Sequence, residues 1–506
     1  MDYSIFPPVN NFLFSPLLIA VVGFLHMIAA SFAIGGGFLL YLEEKRCRKT
    51  GDLITLSFLQ KTSEKFLYVT IVFGSVSGVG IWFSITLLSP FSTAYLVNRF
   101  LWIFAIEWVF FLLSVFFLLL YVETWHKVQP KLHLRIVRIY AISSFMTLFF
   151  INAIITFQLT PTKLKGSINL FKAFFNRTFF PSLFSRSFLS VMIASLFFLL
   201  FFSYREESTL KNFFAKRYFK FVFYSFLLFL VSIILYGFQI SKSNIENFQK
   251  ISYLKGIFIF SGFLLAVGVF LSFTFCILLP RLFKPLFTLI ALSCVVVSLG
   301  LFEWIREDLR LPYLIVQRTY GNDLNVKKFK EYQDRGIISF APFLSNSNVK
   351  RDENLQGELL FKRVCGNCHT MKGINSLDKI FSKIDEQYAV SLVRKSSFFK
   401  APMPPFPGGE NEAKVIGHFI KLKSGNKNPV NGSEVFKARC SPCHSYGEGY
   451  RDIKKAFEGL KEDKIIDIIE NIDSFTESMP KWSGSSKESE KLAKFLSGSE
   501  NEVKKK

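Results

Sequence analysis

The chain has 506 residues, of which 50% are hydrophobic, 17% aromatic and 63 phenylalanine, and its formal net charge is +23. So much phenylalanine is foreign to a soluble protein of this length but ordinary in lipid, and the length admits several domains. The charge alone fits nucleic acid, but no nucleic-acid motif accompanies it and basic loops of a membrane protein give the same sum, so nucleic acid is set aside as a partner.

About eight stretches are apolar over the roughly 20 residues that a bilayer requires. They lie near 14–41, 66–90, 98–122, 135–158, 183–204, 218–240, 253–279 and 285–305. The first lacks a small-residue cleavage site and is long enough to stay in the bilayer as an anchor. The first, third and fifth connections ("EEKRCRKTGD", "HKVQPKLHLRIVR", "YREESTLKNFFAKRYFK") are basic, and the second, "SPFSTAYLVNR", is nearly neutral. Odd-numbered loops therefore read as cytoplasmic, and the N-terminus and everything after Tyr313 as outside. Cys47, Cys276 and Cys294 are scattered and read as small core residues.

Ionisable groups within lipid are costly and few here. His26 sits in the first span, Glu107 in the third, and the last closes on "LFEWIREDLRLPY", with Glu303, Arg306, Glu307, Asp308 and Arg310. From the helical rise, His26 lies ~15 Å and Glu107 ~12 Å below the outer boundary, with Glu303 and Glu307 near it. These residues are therefore expected to gather in the outer half of the membrane. The structural alternative is a hydrogen-bonded core histidine, a helix contact and a charged helix end. His126 and His133 fall in a basic loop and read as solvated. The glycines of "GGG" at 35–37 and "GSVSGVG" at 74–80 read as tight helix packing.

From 314 to 352 the chain is polar and reads as a linker with some local order. The remainder repeats itself: "GELLFKRVCGNCHTMKG" at 357–373 matches "GSEVFKARCSPCHSYGEG" at 432–449. About 35 residues further on, each copy has a Met-Pro, at Met403 and Met479, and then an amphipathic helical segment. C-x-x-C-H is a haem c signature, in which two thiols form thioethers on one edge of the macrocycle and the adjacent His reaches iron. Cys365, Cys368 and His369 make one site, Cys440, Cys443 and His444 the other. Met403 and Met479 suit the distal position of a His/Met haem, which favours a raised potential and electron transfer. Zinc or a disulfide would use C-x-x-C without needing the His in both copies. Each repeat, at roughly 70 residues, is too small for a side-chain core alone, and a covalent haem would supply the apolar centre. His418 reads as a surface residue. Haem attachment outside the cytoplasm agrees with the loop charges.

The repeats resemble class I-type cytochrome c domains. The single His of the first span, then "GSVSGVGIWF", "FAIEWVFFLLSVFF" and "EDLRLPY" follow in an order that resembles subunit I of cytochrome bd-type terminal oxidases. That resemblance implies His26 and Glu307 as axial ligands of two non-covalent haems of b or d type, and Glu107 as the acid beside them. Arg310 or Arg306 would face propionates, and Glu303, one turn before Glu307, would pair or substitute. It also implies departures. The fifth span has Ser190 near the place of the family's second His, and the quinol loop shrinks to "SKSNIENFQKISYLK", so the low-spin haem b and quinol entry both look lost.

The expected fold is all-α: a bundle of about eight transmembrane helices (1–313), a linker (314–352) and two small cytochrome c domains (353–426 and 427–506). The expected setting is a bacterial inner membrane with the tail on the periplasmic side, a periplasmic redox donor and room for a second membrane subunit. Two functions fit. One is an oxidase in which two haems c feed a bd-like di-haem site that reduces dioxygen or a similar oxidant, with Glu107 carrying protons. The other is a membrane-anchored dihaem cytochrome c that relays electrons and has no substrate site.

Overall fold

The computed structural model describes residues 15–162, 169–204, 208–341, 352–373, 375–400, 402–476 and 478–499. Among them, eight helices are long and apolar enough to cross a membrane. These are α1 (Ser15–Thr50), α2 (Leu53–Leu88), α3 (Pro90–Glu123), α4 (Pro130–Leu159), α5 (Phe179–Ser203), α6 (Ser208–Gln239), α8 (Ser252–Leu278) and α9 (Pro285–Leu309). A short polar helix, α7 (Lys242–Lys250), joins α6 to α8. Within lipid only a helix satisfies its own backbone groups, so each apolar run becomes one.

Several helices outrun the apolar pattern at the end of the bundle away from the C-terminal tail. α1 continues to Thr50, and α2 and α6 begin at Leu53 and Ser208. Ion pairs hold these extensions. Glu43 accepts from Arg46 Nε at 3.0 Å and Arg217 Nε at 2.7 Å, and Glu44 accepts from Arg48 Nε at 2.6 Å. His133 is not solvated as expected. It is buried in α4, with Nδ1 2.7 Å from Glu44 and Nε2 3.1 Å from the Tyr121 carbonyl. Its partner lies 89 residues away, beyond the reach of local sequence. His126 does remain at the surface, 2.9 Å from Gln60.

α5 is the buried centre of the bundle, with Met192, Ile193, Ala194, Leu196, Phe198, Leu199 and Phe202 fully enclosed. The three consecutive glycines of α1 serve close packing, as expected. A Cβ on Gly35 would lie 2.0 Å from the Ser190 carbonyl oxygen of α5, one on Gly36 2.2 Å from the Phe66 ring of α2, and one on Gly37 2.7 Å from the Tyr140 ring of α4. α3 bends at Phe100, whose buried ring meets Phe157 at 5.0 Å.

The segment after α9 carries more structure than a polar linker requires. A two-stranded hairpin, β1 (Tyr313–Ile315) and β2 (Thr319–Tyr320), buries Ile315 in an apolar cluster with Phe100 and Phe157. Buried Asp323 accepts from the N–H groups of Phe91 and Ser92 at 2.8 and 2.7 Å, which moors the hairpin to the start of α3. Further on, Ile337 and Ala341 enter the core of the following domain, and residues 342–351 lie outside the described residues.

The tail forms two helical units of one plan. The first contains α10 (Glu353–Val364), α11 (Glu386–Arg394) and α12 (Glu410–Ser424). The second contains α13 (Gly432–Val435), α14 (Glu462–Glu470) and α15 (Ser486–Ser497). The glycine that starts each repeat marks the crossing of the first and last helices. A Cβ on Gly357 would lie 2.6 Å from Phe419 Cβ, and one on Gly432 2.0 Å from the Lys491 carbonyl oxygen. One turn later Phe361 meets Phe419 at 5.7 Å, and Phe436 meets Phe495 at 5.6 Å.

Candidate functional site

Both C-x-x-C-H segments fold as the same tight turn. His369 N–H donates to the Cys365 carbonyl and His444 N–H to that of Cys440, each at 2.9 Å. Each imidazole is then oriented by a second bond. His369 Nδ1 lies 3.2 Å from the Asn375 carbonyl oxygen and His444 Nδ1 3.2 Å from that of Arg451. Asn375 and Arg451 take left-handed backbone, φ 49° and 52°, which aims those carbonyls. An Nδ1–H held by a carbonyl leaves Nε2 with its lone pair for iron. The four cysteines are not disulfide-bonded, and burial pushes Cys365 and Cys440 up to about 12. Among the described residues no three His, Cys, Asp or Glu side chains gather as a metal site, so the zinc alternative lacks its ligand set. Met403 and Met479 stand at equivalent places, half-buried, Met403 in the irregular stretch before α12 and Met479 in a bend before α15. His418 pairs with Glu386 at 3.1 Å on the surface.

At the end of α9 the charges form one network. Glu303 accepts from Arg186 of α5 at 2.5 Å and from Arg306 Nε at 2.7 Å. Glu307 accepts from Arg306 at 2.5 Å and also from Arg310, which in turn bonds Gln158 and, at 2.6 Å, the Leu314 carbonyl. Three arginines against two carboxylates leave one positive charge within this network, and Arg306 Nη1 is buried with no acceptor among the described residues. Sequence inspection passes over Arg186, although a lone cation inside an apolar span was the available signal.

The other two candidates lie elsewhere. A Cβ on Gly300 of α9 would touch the Phe24 ring of α1 at 2.8 Å, so that ring reaches α9. His26 is two residues on, about 200° round α1. It faces α2, with Nδ1 3.2 Å from Ser77 Oγ and its ring against Gly78. Glu307 lies ~10 Å further along α9 than Gly300. Glu107 has no hydrogen-bond or ion-pair partner among the described residues. Its neighbours one turn either way, Phe104 and Phe110, meet Trp82 of α2 at 5.2 Å and Phe150 of α4 at 5.7 Å. Gly78 and Trp82 are one turn apart on the same face of α2, so His26 and the Phe104 ring one turn before Glu107 both meet that face.

The first cytochrome unit sits directly over the α9 network. Arg363 donates to the Asn322 carbonyl at 2.8 Å, and Cys368 Sγ is 3.9 Å from where a Gly321 Cβ would stand. Gly321 N–H donates to the Pro312 carbonyl at 2.8 Å, two residues beyond Arg310. Burial, then the Asp308 carboxylate, raise the Cys368 thiol to about 11. α7, all that remains between α6 and α8, caps α9: Asn244 donates to the Leu309 carbonyl at 2.7 Å and Asn247 to that of Leu311 at 2.6 Å. Lys250, at its end, lies 5.1 Å over the Tyr450 ring of the second unit.

Residues suited to haem stand at four places: the two C-x-x-C-H turns, the α9 end and His26. Each C-x-x-C-H turn offers two thiols and an imidazole with a free Nε2. The α9 end offers an unpartnered guanidinium N–H suited to a propionate. His26 offers an imidazole packed closely on α2, where a Cβ on Gly78 would lie 3.2 Å from its ring. They do not fit a haem between α1 and α5 at Ser190, where Gly35 brings the backbones into contact.

Residues 14–253 match the family of cytochrome bd terminal oxidase subunit I, and residues 427–496 match cytochrome c oxidase, cbb3-type, subunit III. No curated protein matches the chain. Among solved structures, the bd oxidase from Geobacillus thermodenitrificans is similar over 60% of this chain and 88% of its own, with 15% identity and a TM-score of 0.49. The chain thus joins a bd oxidase-like membrane domain to a cytochrome c domain similar to cbb3-type subunit III, as a multi-pass membrane haem protein of electron transfer.

Proposed function

We propose that this chain takes electrons from a redox protein outside the bacterial inner membrane and delivers them to a haem site in the outer half of its membrane domain, where dioxygen or a similar small oxidant is reduced. Two covalently held haems c, at Cys365/Cys368/His369/Met403 and Cys440/Cys443/His444/Met479, supply one-electron chemistry on the outer side. The observation that carries this reading is the seat of the first cytochrome unit, whose attachment turn lies against the hairpin that hangs from Arg310. In the membrane domain, Arg306 and Arg310 would hold propionates, and His26 and Glu307 would each serve a separate haem. Glu107, without a hydrogen-bond or ion-pair partner among the described residues, is the residue suited to hold a proton. Contact between α1 and α5 at Ser190 and the shortness of α7 favour a cytochrome route over quinol.

A second reading is favoured by one observation. Both oxygens of Glu307 are already taken by arginines, as befits a structural end to α9. On that reading the chain relays electrons and reduces nothing itself. Oxygen uptake by the purified protein with a reduced soluble cytochrome decides between them. The first reading expects uptake that His26→Ala and Glu307→Ala abolish; uptake absent from the unsubstituted protein, with both haems c present, leaves only the relay.

A further inference from the structure

The second cytochrome unit does not complete its own site. A short stretch of the first unit, Lys395 to Lys400, reaches across to it. The Lys395 ammonium donates to the main-chain carbonyl of Met479 at 2.8 Å. The Lys400 ammonium donates to the carbonyl of His444 at 3.3 Å, and the Lys400 backbone N–H to that of Pro442 at 2.8 Å. His444 and Met479 are the two residues assigned above to the iron of this unit. Thus one segment of the neighbouring domain grips the main chain at both axial positions. Arg451 closes the contact from the other side. Its carbonyl orients the His444 ring, while its guanidinium donates to the Phe398 carbonyl, within the same stretch, at 2.9 Å.

The two attachment turns therefore meet different fields. At the second turn the Lys395 and Lys400 ammonium groups sit on the Met479 and His444 carbonyls, and the Arg451 guanidinium is held beside them by the Phe398 carbonyl. Among the described residues no lysine or arginine bonds the carbonyl of His369 or Met403. A fixed positive charge disfavours the ferric state, which carries one more positive charge than the ferrous, and a fixed negative charge favours it.

We propose that Lys395 and Lys400 of the first cytochrome domain are positioning residues for the haem site of the second, holding the main chain of His444 and Met479 and giving that site the higher reduction potential of the pair. The proposal rests on the assignment of haem c to both turns. The step it concerns is the gain of one electron by the haem iron of that site, with no change of protonation at either lysine.

The test is a spectroelectrochemical titration of the detergent-solubilised full chain, with haem staining after denaturing electrophoresis as a separate readout. Met403→His and Met479→His mark which wave belongs to which site, since replacing a Met ligand lowers the potential. The expected result is two c-type waves, the higher one moved by Met479→His. Lys395→Gln and Lys400→Gln each lower that wave by about tenfold in the reduction equilibrium, about 59 mV for one electron, and leave the other in place. Glutamine keeps a donor for the carbonyl, and Lys400→Arg, which keeps the charge, restores the wave. Waves that the Gln variants do not move, or a higher wave that belongs to the Met403 site, overturn the proposal. Absence of covalently stained haem overturns the haem assignment itself, and so is distinguishable from failure of the proposal alone.

Discussion

Arg439 is the most consequential side chain between the two cytochrome units. It stands just before Cys440, where the first repeat has Val364. Its side chain is 3% exposed and pairs with Glu488 at 2.9 Å within its own unit and with Asp385 of the other at 3.2 Å. The guanidinium also lies over the rings of Tyr388 and Trp482, at 5.0 and 4.9 Å, one from each unit. Arg439→Met keeps the apolar stem and removes the charge. Breaking a buried ion pair costs about 3–5 kcal/mol, and the cation–π contacts add about 0.5–1 kcal/mol each. Asp385 is 36% exposed and regains water, so the low end applies, about 3 kcal/mol in all. For a unit of this size that lowers the melting temperature by about 12–24 °C. The assay is thermal melting of the full chain followed by Soret circular dichroism. Arg439→Lys, which cannot bridge two carboxylates in the same plane, is expected between the two. A Met variant that melts within about 2 °C of the unsubstituted protein refutes the reasoning.

Further outcomes follow from the same contacts. Burial raises the Asp385 carboxyl, but bonds from Ser483 and the Tyr388 N–H and the charge of Arg439 outweigh it, so its pKa falls below the ordinary 3.8. A depressed carboxyl contributes stability that is present above its unfolded value and lost as pH falls through the folded one; Asp385→Asn should therefore melt lower at neutral pH and lose that part of the acid sensitivity below about pH 4, seen in melts across pH. Glu303→Gln strips two arginines of their carboxylate and is expected to cost about 3 kcal/mol, with Arg186→Gln added to it costing less than the sum of the two, in detergent melts. Gly35→Val drives a side chain into the Ser190 carbonyl and should abolish folded protein by size-exclusion yield, whereas Gly262→Ala, with nothing within 4 Å, should not.

The spans, the tandem repeat and the haem turns were legible because each is a local pattern: a run of apolar residues, a period, a spacing of thiols and imidazole. Gly357 and Gly432 were visible as the start of each unit, and their reason, a helix crossing, appears only in space. What stayed hidden depends on partners far along the chain. His133 is buried because Glu44 is. Arg186 matters because Glu303 turns toward it. The stretch 314–341 looked like a linker because its polar residues, Asp323 above all, bond distant backbone rather than water. Spacing also could not tell that His26 faces α2 while Phe24, two residues earlier, faces α9; depth along a helix is readable from sequence, but rotation about it depends on the neighbours.

The most direct measurement is a haem inventory of the purified protein, by pyridine haemochrome on the acetone-extracted and residual fractions, with a carbon monoxide difference spectrum of the reduced protein. The expected result is two haems that stay with the polypeptide, extractable haem besides, and a carbon monoxide signal that His26→Ala removes. Two covalent haems with no extractable haem and no carbon monoxide signal would contradict a reducing site in the membrane domain.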